Sequence, residues 1–267
     1  MNSKDRSCGV RAVRNWVYLA AFTLLLGFGG EQSARASVTH MYDLTASLND
    51  TLGGPSLVPN SLSPPGPGTL MVGTGYAFGA GQGLSLSDAL SNPANYAIEM
   101  VFELNNVNGN GRAGGGAGNG FAKLIDTKDL SSDTAYYDHS GTLNFFNVGA
   151  SGVVFANGVF ADLLVSRDGT TGEIKGFVNG GLVLDVFDPT GIGTFSSAHD
   201  IIHFFEDDLL VCSTPGTDCE ASSGTVKSIT IFDGPVSATP EPGTLALLGG
   251  GLLAGWLKRR AGSRSVS

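Results

Sequence analysis

Tyr96-Ala-Ile-Glu-Met-Val-Phe-Glu-Leu104 decides the fold class of this chain. Ile98, Met100, Phe102 and Leu104 recur at every second position, and Glu99, Val101 and Glu103 fill the places between. A strand sends successive side chains to opposite faces, so the stretch offers one apolar face to a core and one mixed face outward. A helix would scatter the same residues around its axis.

The pattern repeats on both sides. Downstream, residues 108–120 are dominated by glycine and read as a loop with too little side chain to pack. Within it, Gly109-Asn-Gly-Arg-Ala-Gly114 spells a phosphate-loop motif, but more glycines follow where a helix is needed, so a nucleotide site is excluded. Phe121–Asp126, Gly141–Val148 and Gly152–Phe155 read as strands. Phe160–Arg167, Glu173–Val178 and Leu182–Phe187 form a meander joined by Asp168-Gly169-Thr170-Thr171-Gly172 and by Asn179-Gly180. Asp-Gly and Asn-Gly both supply the positive φ that tight hairpins need. Ile201–Phe205 and Val226–Phe232 close the series. Upstream, Gly75–Leu86 reads as a strand with Tyr76, Phe78, Leu84 and Leu86 facing one way, and Met41–Leu44 as a short first strand. Thr51–Gly68, with prolines at 55, 59, 64, 65 and 67, is excluded from any sheet centre. About a dozen short strands with no helical periodicity predict an all-β domain of two antiparallel sheets packed face to face.

Both ends of the chain follow different rules. Lys4, Arg6, Arg11 and Arg14 precede an apolar stretch from Trp16 to Phe28, and Ala34-Arg35-Ala36 offers small residues for cleavage before Ser37. Residues 1–36 are therefore predicted to be a secretory signal helix removed by signal peptidase. At the other end, Pro240-Glu241-Pro242 precedes an apolar run to Leu257, which ends in Lys258-Arg259-Arg260. The prolines keep the first part extended. The run, predicted as an apolar helix, is shorter than the roughly 20 residues a stable span needs, and the basic cluster would hold its end on the cytoplasmic side. In order and position, residues 239–267 resemble the PEP-CTERM sorting signal of Gram-negative bacteria. The resemblance implies an exosortase-type processing enzyme acting near Pro240-Glu241-Pro242. It also implies export to the cell envelope, cell surface or extracellular matrix, with membrane attachment before processing.

Between these ends lies a single domain, residues 37–238. It keeps six cations, Arg112, Lys123, Lys128, Arg167, Lys175 and Lys227, against 21 acids, a net charge of −15. Such a surface repels phosphate backbones and makes nucleic acid a poor partner. Cys212 and Cys219 sit in a turn-rich stretch, and in an oxidising compartment they are predicted to form a local disulfide.

Several segments are similar to laminin-G-like domains of the concanavalin A-like lectin/glucanase superfamily. They are Tyr96-Ala-Ile-Glu-Met-Val-Phe102, Lys123-Leu-Ile-Asp126, Leu164-Val-Ser-Arg-Asp168 with Gly176-Phe-Val-Asn-Gly180, Ile202-His-Phe-Phe-Glu-Asp-Asp208 and Ser223–Asp233. This resemblance implies a jelly-roll sandwich, often with calcium, whose members bind sugars or proteins or hydrolyse glycans.

The residues themselves narrow the choice. Glycan hydrolysis needs two carboxylates about 5 to 9 Å apart. Glu99 and Glu103 share a strand face but stand about 13 Å apart at about 3.3 Å per residue. The Glu-x-Asp-x-x-Glu pattern of the glucanases is absent, so the domain is read as non-catalytic. Asp207 and Asp208 at a strand end, and Asp126 and Asp138 near Asp129 and Asp133, read as solvated acids or as weak calcium ligands, since calcium prefers oxygen donors from loops. Tyr136 and Tyr137, beside Asp133 and Asp138, are expected to be exposed and to offer rings for sugar stacking. In adjacent aromatic pairs such as Phe145-Phe146 and Phe204-Phe205, alternation predicts one core residue each. The resulting expectation is an exported binding module for carbohydrate or protein, with extracellular polysaccharide as a partner. A purely structural matrix protein and a divergent glycan-active enzyme are the alternatives.

Overall fold

The computed structural model describes residues 36–61, 66–107, 120–195, 201–207 and 220–236. The expected leader and tail helices lie outside these residues. The described residues form β1 (Val38–Asp43), β2 (Val58–Ser61), β3 (Thr69–Met71), β4 (Gly75–Phe78), β5 (Gln82–Leu86), β6 (Tyr96–Leu104), β7 (Phe121–Asp126) and β8 (Ala135–His139). After these come β9 (Thr142–Phe145), β10 (Gly149–Val153), β11 (Ala161–Arg167), β12 (Glu173–Val178), β13 (Gly181–Phe187), β14 (Ile202–Phe204) and β15 (Gly224–Phe232). Among the described residues no helix is long and apolar enough to cross a membrane.

Two sheets result, as the alternation predicts. The first runs β13-β12-β11-β6-β15-β4-β3, with β1 pairing the second half of β15, and the second runs β10-β9-β8-β7-β14-β5-β2. Every described pairing is antiparallel. The arrangement is that of a jelly-roll sandwich.

Registers explain how the core closes. On β6, Ile98 and Met100 are fully buried, and they align with Val165 and Leu163 of β11 and with Ile231 and Ile229 of β15. The second sheet answers with the row Leu84, Phe204, Ile125, Tyr136 and Phe145, one residue from each of five neighbouring strands, all fully buried. Burying each such side chain stabilises by about 1.5–3 kcal/mol. Where β12 faces the opposite sheet, Gly176 leaves room for a leucine: a Cβ there would stand 2.4 Å from Leu143 Cδ2.

Three expectations change. Gly75–Leu86 is two strands, because the Gly79–Gly81 turn (Gly81 φ +72°) carries the chain from the first sheet to the second. Its apolar residues Tyr76, Phe78, Leu84 and Leu86 still all face inward. Asn179 and Gly180 take φ of +51° and +77° as the hairpin requires, but in the other turn the positive φ falls on Gly172, at +80°. There the Asp168 carboxylate instead accepts the Thr170 and Thr171 N–H groups at 2.8 and 3.3 Å. Phe204 and Phe205 are both buried, against simple alternation, because Phe205 adopts φ +64° and turns its ring back to stack on Phe78 at 4.3 Å. The proline-rich stretch behaves as expected: β2, with Pro59, is an edge strand.

Candidate functional site

The outward face of the second sheet gathers charge. Lys123 on β7 pairs with Tyr137 on β8, and His203 on β14 pairs with Asp126. Lys123 is 1% exposed, and its ammonium reaches Asp126 Oδ2 at 3.1 Å and Asp207 Oδ1 at 3.6 Å, with the Tyr137 ring centroid 5.6 Å away. Asp126 Oδ1 accepts the backbone N–H groups of Lys128 and Leu130 at 2.8 and 2.9 Å, and Asp207 Oδ2 accepts that of Glu220 at 2.7 Å. The loops on either side are thereby pinned to one lysine. Burial lifts Glu220 to about 7, with Asp207 and Asp133 adding to the rise. The Tyr137 hydroxyl lies close to Glu220 but makes no hydrogen bond of good geometry among the described residues.

His203 extends this cluster. Its Nδ1 meets Glu206 Oε2 at 2.8 Å and its Nε2 meets Asp129 Oδ1 at 2.9 Å. Burial disfavours the imidazolium, but the two carboxylates outweigh it and raise the histidine above its ordinary value. The whole assembly is closed: Asp126, Asp207, Glu206 and Tyr137 are all buried.

The expected site residues therefore part company. Asp126, Asp207 and Tyr137 do meet, around a lysine ammonium. Tyr136 and Asp138 lie on the other face of β8, towards the core. Tyr136 hydrogen-bonds the Tyr96 hydroxyl at 2.9 Å, and Tyr96 in turn donates to the Gly193 carbonyl at 2.8 Å. Neither Tyr136 nor Tyr137 is exposed, so neither can stack on a sugar: the sandwich core covers one, and the cluster with its flanking loops covers the other. Asp138 is buried with Oδ2 unpartnered, Oδ1 accepting the Gly141 N–H at 2.8 Å, and burial pushes it up to about 8. Asp126 and Asp138 cannot share a calcium ion from opposite faces of one sheet, and the oxygens of Asp126 are already engaged. Among the described residues no three His, Cys, Asp or Glu side chains gather as a metal site. Asp208, Cys212, Cys219, Pro240, Glu241, Pro242, Lys258, Arg259 and Arg260 lie outside the described residues.

A different place on the first sheet is open. β11 ends at Arg167, β13 ends at Phe187, and Asp188 follows. Arg167 directs Nε and Nη2 to Asp188 Oδ2, both at 3.1 Å, and Nη1 to the Ala94 carbonyl at 2.7 Å. Burial would raise Asp188, but the Gly193 and Ile192 N–H groups at 2.9 and 3.0 Å, with Arg167, hold it below the usual carboxylate range. This neutral pair floors a groove of about 370 Å³ walled by Ala94, Thr170, Thr171, Phe187, Thr190 and Thr194. Phe187 is 60% exposed at its rim. Gly172 makes that possible: a Cβ there would stand 3.1 Å from Phe187 Cε2 and 2.8 Å from the Asp188 carbonyl oxygen. Lys128 braces the far wall through the Thr194 carbonyl at 2.6 Å. Sequence reasoning missed this groove. The one available signal was scarcity: with six cations in the domain, an arginine closing an apolar strand needs a buried carboxylate partner.

Residues 238–261 match the PEP-CTERM protein-sorting motif. The chain is thus an exported, cell-surface-sorted protein of the exosortase-processed kind. No curated protein matches it in sequence. Among solved structures it is similar to domain 4 of AbnA, a GH43 extracellular arabinanase from Geobacillus stearothermophilus, in complex with arabinotriose. The identity is 15% and the TM-score 0.52, over 76% of this chain and 96% of that one. It is also similar to a Trypanosoma rangeli sialidase mutant displaying trans-sialidase activity, at 10% identity and TM-score 0.50, over 75% of this chain and 31% of that one. These likenesses show the fold alone, a two-sheet β-sandwich.

Proposed function

We propose that the exported sandwich is a non-catalytic carbohydrate-binding module that works at the cell surface or in the extracellular polysaccharide around it. One observation carries this reading: an exposed aromatic ring, Phe187, stands at a groove lined by threonines and glycines. Sugars present an apolar C–H face and a rim of hydroxyls, which such a ring and such a rim complement. The likeness to a domain seen with arabinotriose supports it. The carboxylates of the opposite sheet are engaged in holding Lys123 and His203, which leaves them structural work.

The test is capture on the host's own exopolysaccharide, with calcium and with chelator. Retention by wild type and loss on Phe187→Ala is the expected result, equal in both conditions. No retention on any glycan, or release of reducing ends during incubation, would overturn it. In this reading the tail keeps the protein at the membrane until processing, so mass spectrometry of exported protein will lack Arg259-Arg260.

A further inference from the structure

We infer that the groove between Arg167 and Phe187 takes a neutral saccharide and rejects anionic ones; this rests on the carbohydrate-binding reading above. An arginine in a sugar groove would ordinarily suggest a carboxylated or sulfated ligand. Here the guanidinium is committed. Nε and Nη2 sit on Asp188, Nη1 on the Ala94 carbonyl, and the side chain is 4% exposed. A second anion would have to compete with a buried carboxylate already accepting from the Ile192 and Gly193 amides.

Among the described residues near the groove, no other cation is free to receive one. Lys128 points its ammonium at the Thr194 carbonyl behind the wall, and burial lowers its pKa. Lys175, on the neighbouring β12, is paired with Glu173 at 2.9 Å. The remaining charges near the groove are acids. Asp168 is held below its ordinary value by the turn amides despite its burial cost, and Asp185 lies close enough to Lys175 to raise the lysine's pKa. The local field is therefore neutral to negative, within a domain of net charge −15. What the rim does offer is uncharged: the Phe187 face and the threonines at 170, 171, 190 and 194, of which Thr170 and Thr171 turn their hydroxyls to Asp168 and Thr190 to Asp188, keeping acceptor capacity for a sugar hydroxyl. Neutral polar groups recognise hydroxyls without demanding a counter-charge. The volume, about 370 Å³, lies near the small end of ligand clefts and suits a chain end or short segment.

The experiment is calorimetric titration of the exported protein with arabinotriose and xylotriose as neutral probes. Trigalacturonate and sialyllactose serve as anionic probes, and all four are run at low and high salt. Expected are binding of at least one neutral probe, insensitive to salt, and weakening by about three- to ten-fold in Phe187→Ala. Thermal melts will confirm that the variant folds. Anionic binding that exceeds neutral binding and fades with salt overturns the neutral-ligand inference while leaving carbohydrate binding intact. Neutral binding indifferent to Phe187→Ala and to Thr190→Trp, a second variant that crowds the groove from an exposed position, overturns the assignment to this groove. Silence with all four probes together with no retention on exopolysaccharide overturns the carbohydrate reading itself.

Discussion

Lys123 and Arg167 are two of the six cations in an acid-rich domain, each buried and each facing carboxylates across a strand end. Around Lys123, the loop after β7 and the residues Asp207 and Glu220 close over the sheet, and the Tyr137 hydroxyl and the Glu220 carboxyl lie together beneath them. Around Arg167, the pair is satisfied internally and the loops stop short, so that the Phe187 ring and the threonines at 170, 171 and 190 are exposed. The first cluster spends its polar groups on holding the fold. The second completes its own hydrogen bonds and leaves a surface over for something else. Buried charge by itself does not mark a binding site; the site proposed above rests on satisfied charge beneath an exposed ring.

The contrast can be broken most forcefully at Lys123. Lys123→Met leaves Asp126 and Asp207 buried without their cation and should cost about 3–5 kcal/mol in denaturant unfolding. A loss below about 1 kcal/mol would mean the cluster is hydrated and open, and the distinction would collapse. Arg167→Lys keeps the charge but loses the forked geometry to Asp188 and Ala94. It should cost about 1–3 kcal/mol and weaken ligand binding as the groove floor sags.

Two titrating groups sharpen the picture of the second sheet. Asp138, raised to about 8, keeps its proton in the fold, while the unfolded carboxyl ionises near 3.8. Its contribution is complete below pH 3.8, is lost as pH climbs to about 8, and stays lost above. Asp138→Asn should flatten that decline and gain about 1–3 kcal/mol over wild type at alkaline pH, measured by melts at pH 5, 7 and 9. His203 carries a raised pKa through Glu206 and Asp129. Its contribution is therefore full below the ordinary histidine value of 6.5 and fades as pH rises through the higher folded value. His203→Gln should cost about 1–2 kcal/mol at pH 6 and less at pH 9. Equal costs at both would show that the imidazolium is not what fastens those loops. Smallest of all, Phe187→Ala should leave stability within about 0.5 kcal/mol while cutting ligand binding, the mirror image of Lys123→Met.

How much of this was legible follows from what alternation encodes. The spacing of Ile98, Met100, Phe102 and Leu104 named the inward face of β6, and Asn179-Gly180 named the β12–β13 hairpin, because both are local properties of the backbone. Alternation also put Tyr136 and Tyr137 on opposite faces. It could not say that residues far away in sequence, Asp207 and Glu220 among them, would gather at the outer one. Tyr137 and Asp126 were read as exposed for that reason. Gly75–Leu86 was read as continuous because the period survives the turn at Gly81 even though the chain changes sheets there. Asp188 and Phe187 escaped notice since their importance comes from Arg167, 21 residues before Asp188.

The position of β15 has its own consequence. It is the last strand among the described residues, yet it lies inside the first sheet, supplying the ladder of β6 on one side and of β4 and β1 on the other. A chain threaded outward from its beginning holds β6 with a bare edge and β1 without a strand to pair with until residues 224–232 arrive. Such long-range closure is slow and happens late. A cut upstream of Gly224 would leave the second sheet its full set of strands but divide the first into β13-β12-β11-β6 and β4-β3, with β1 stripped of its partner.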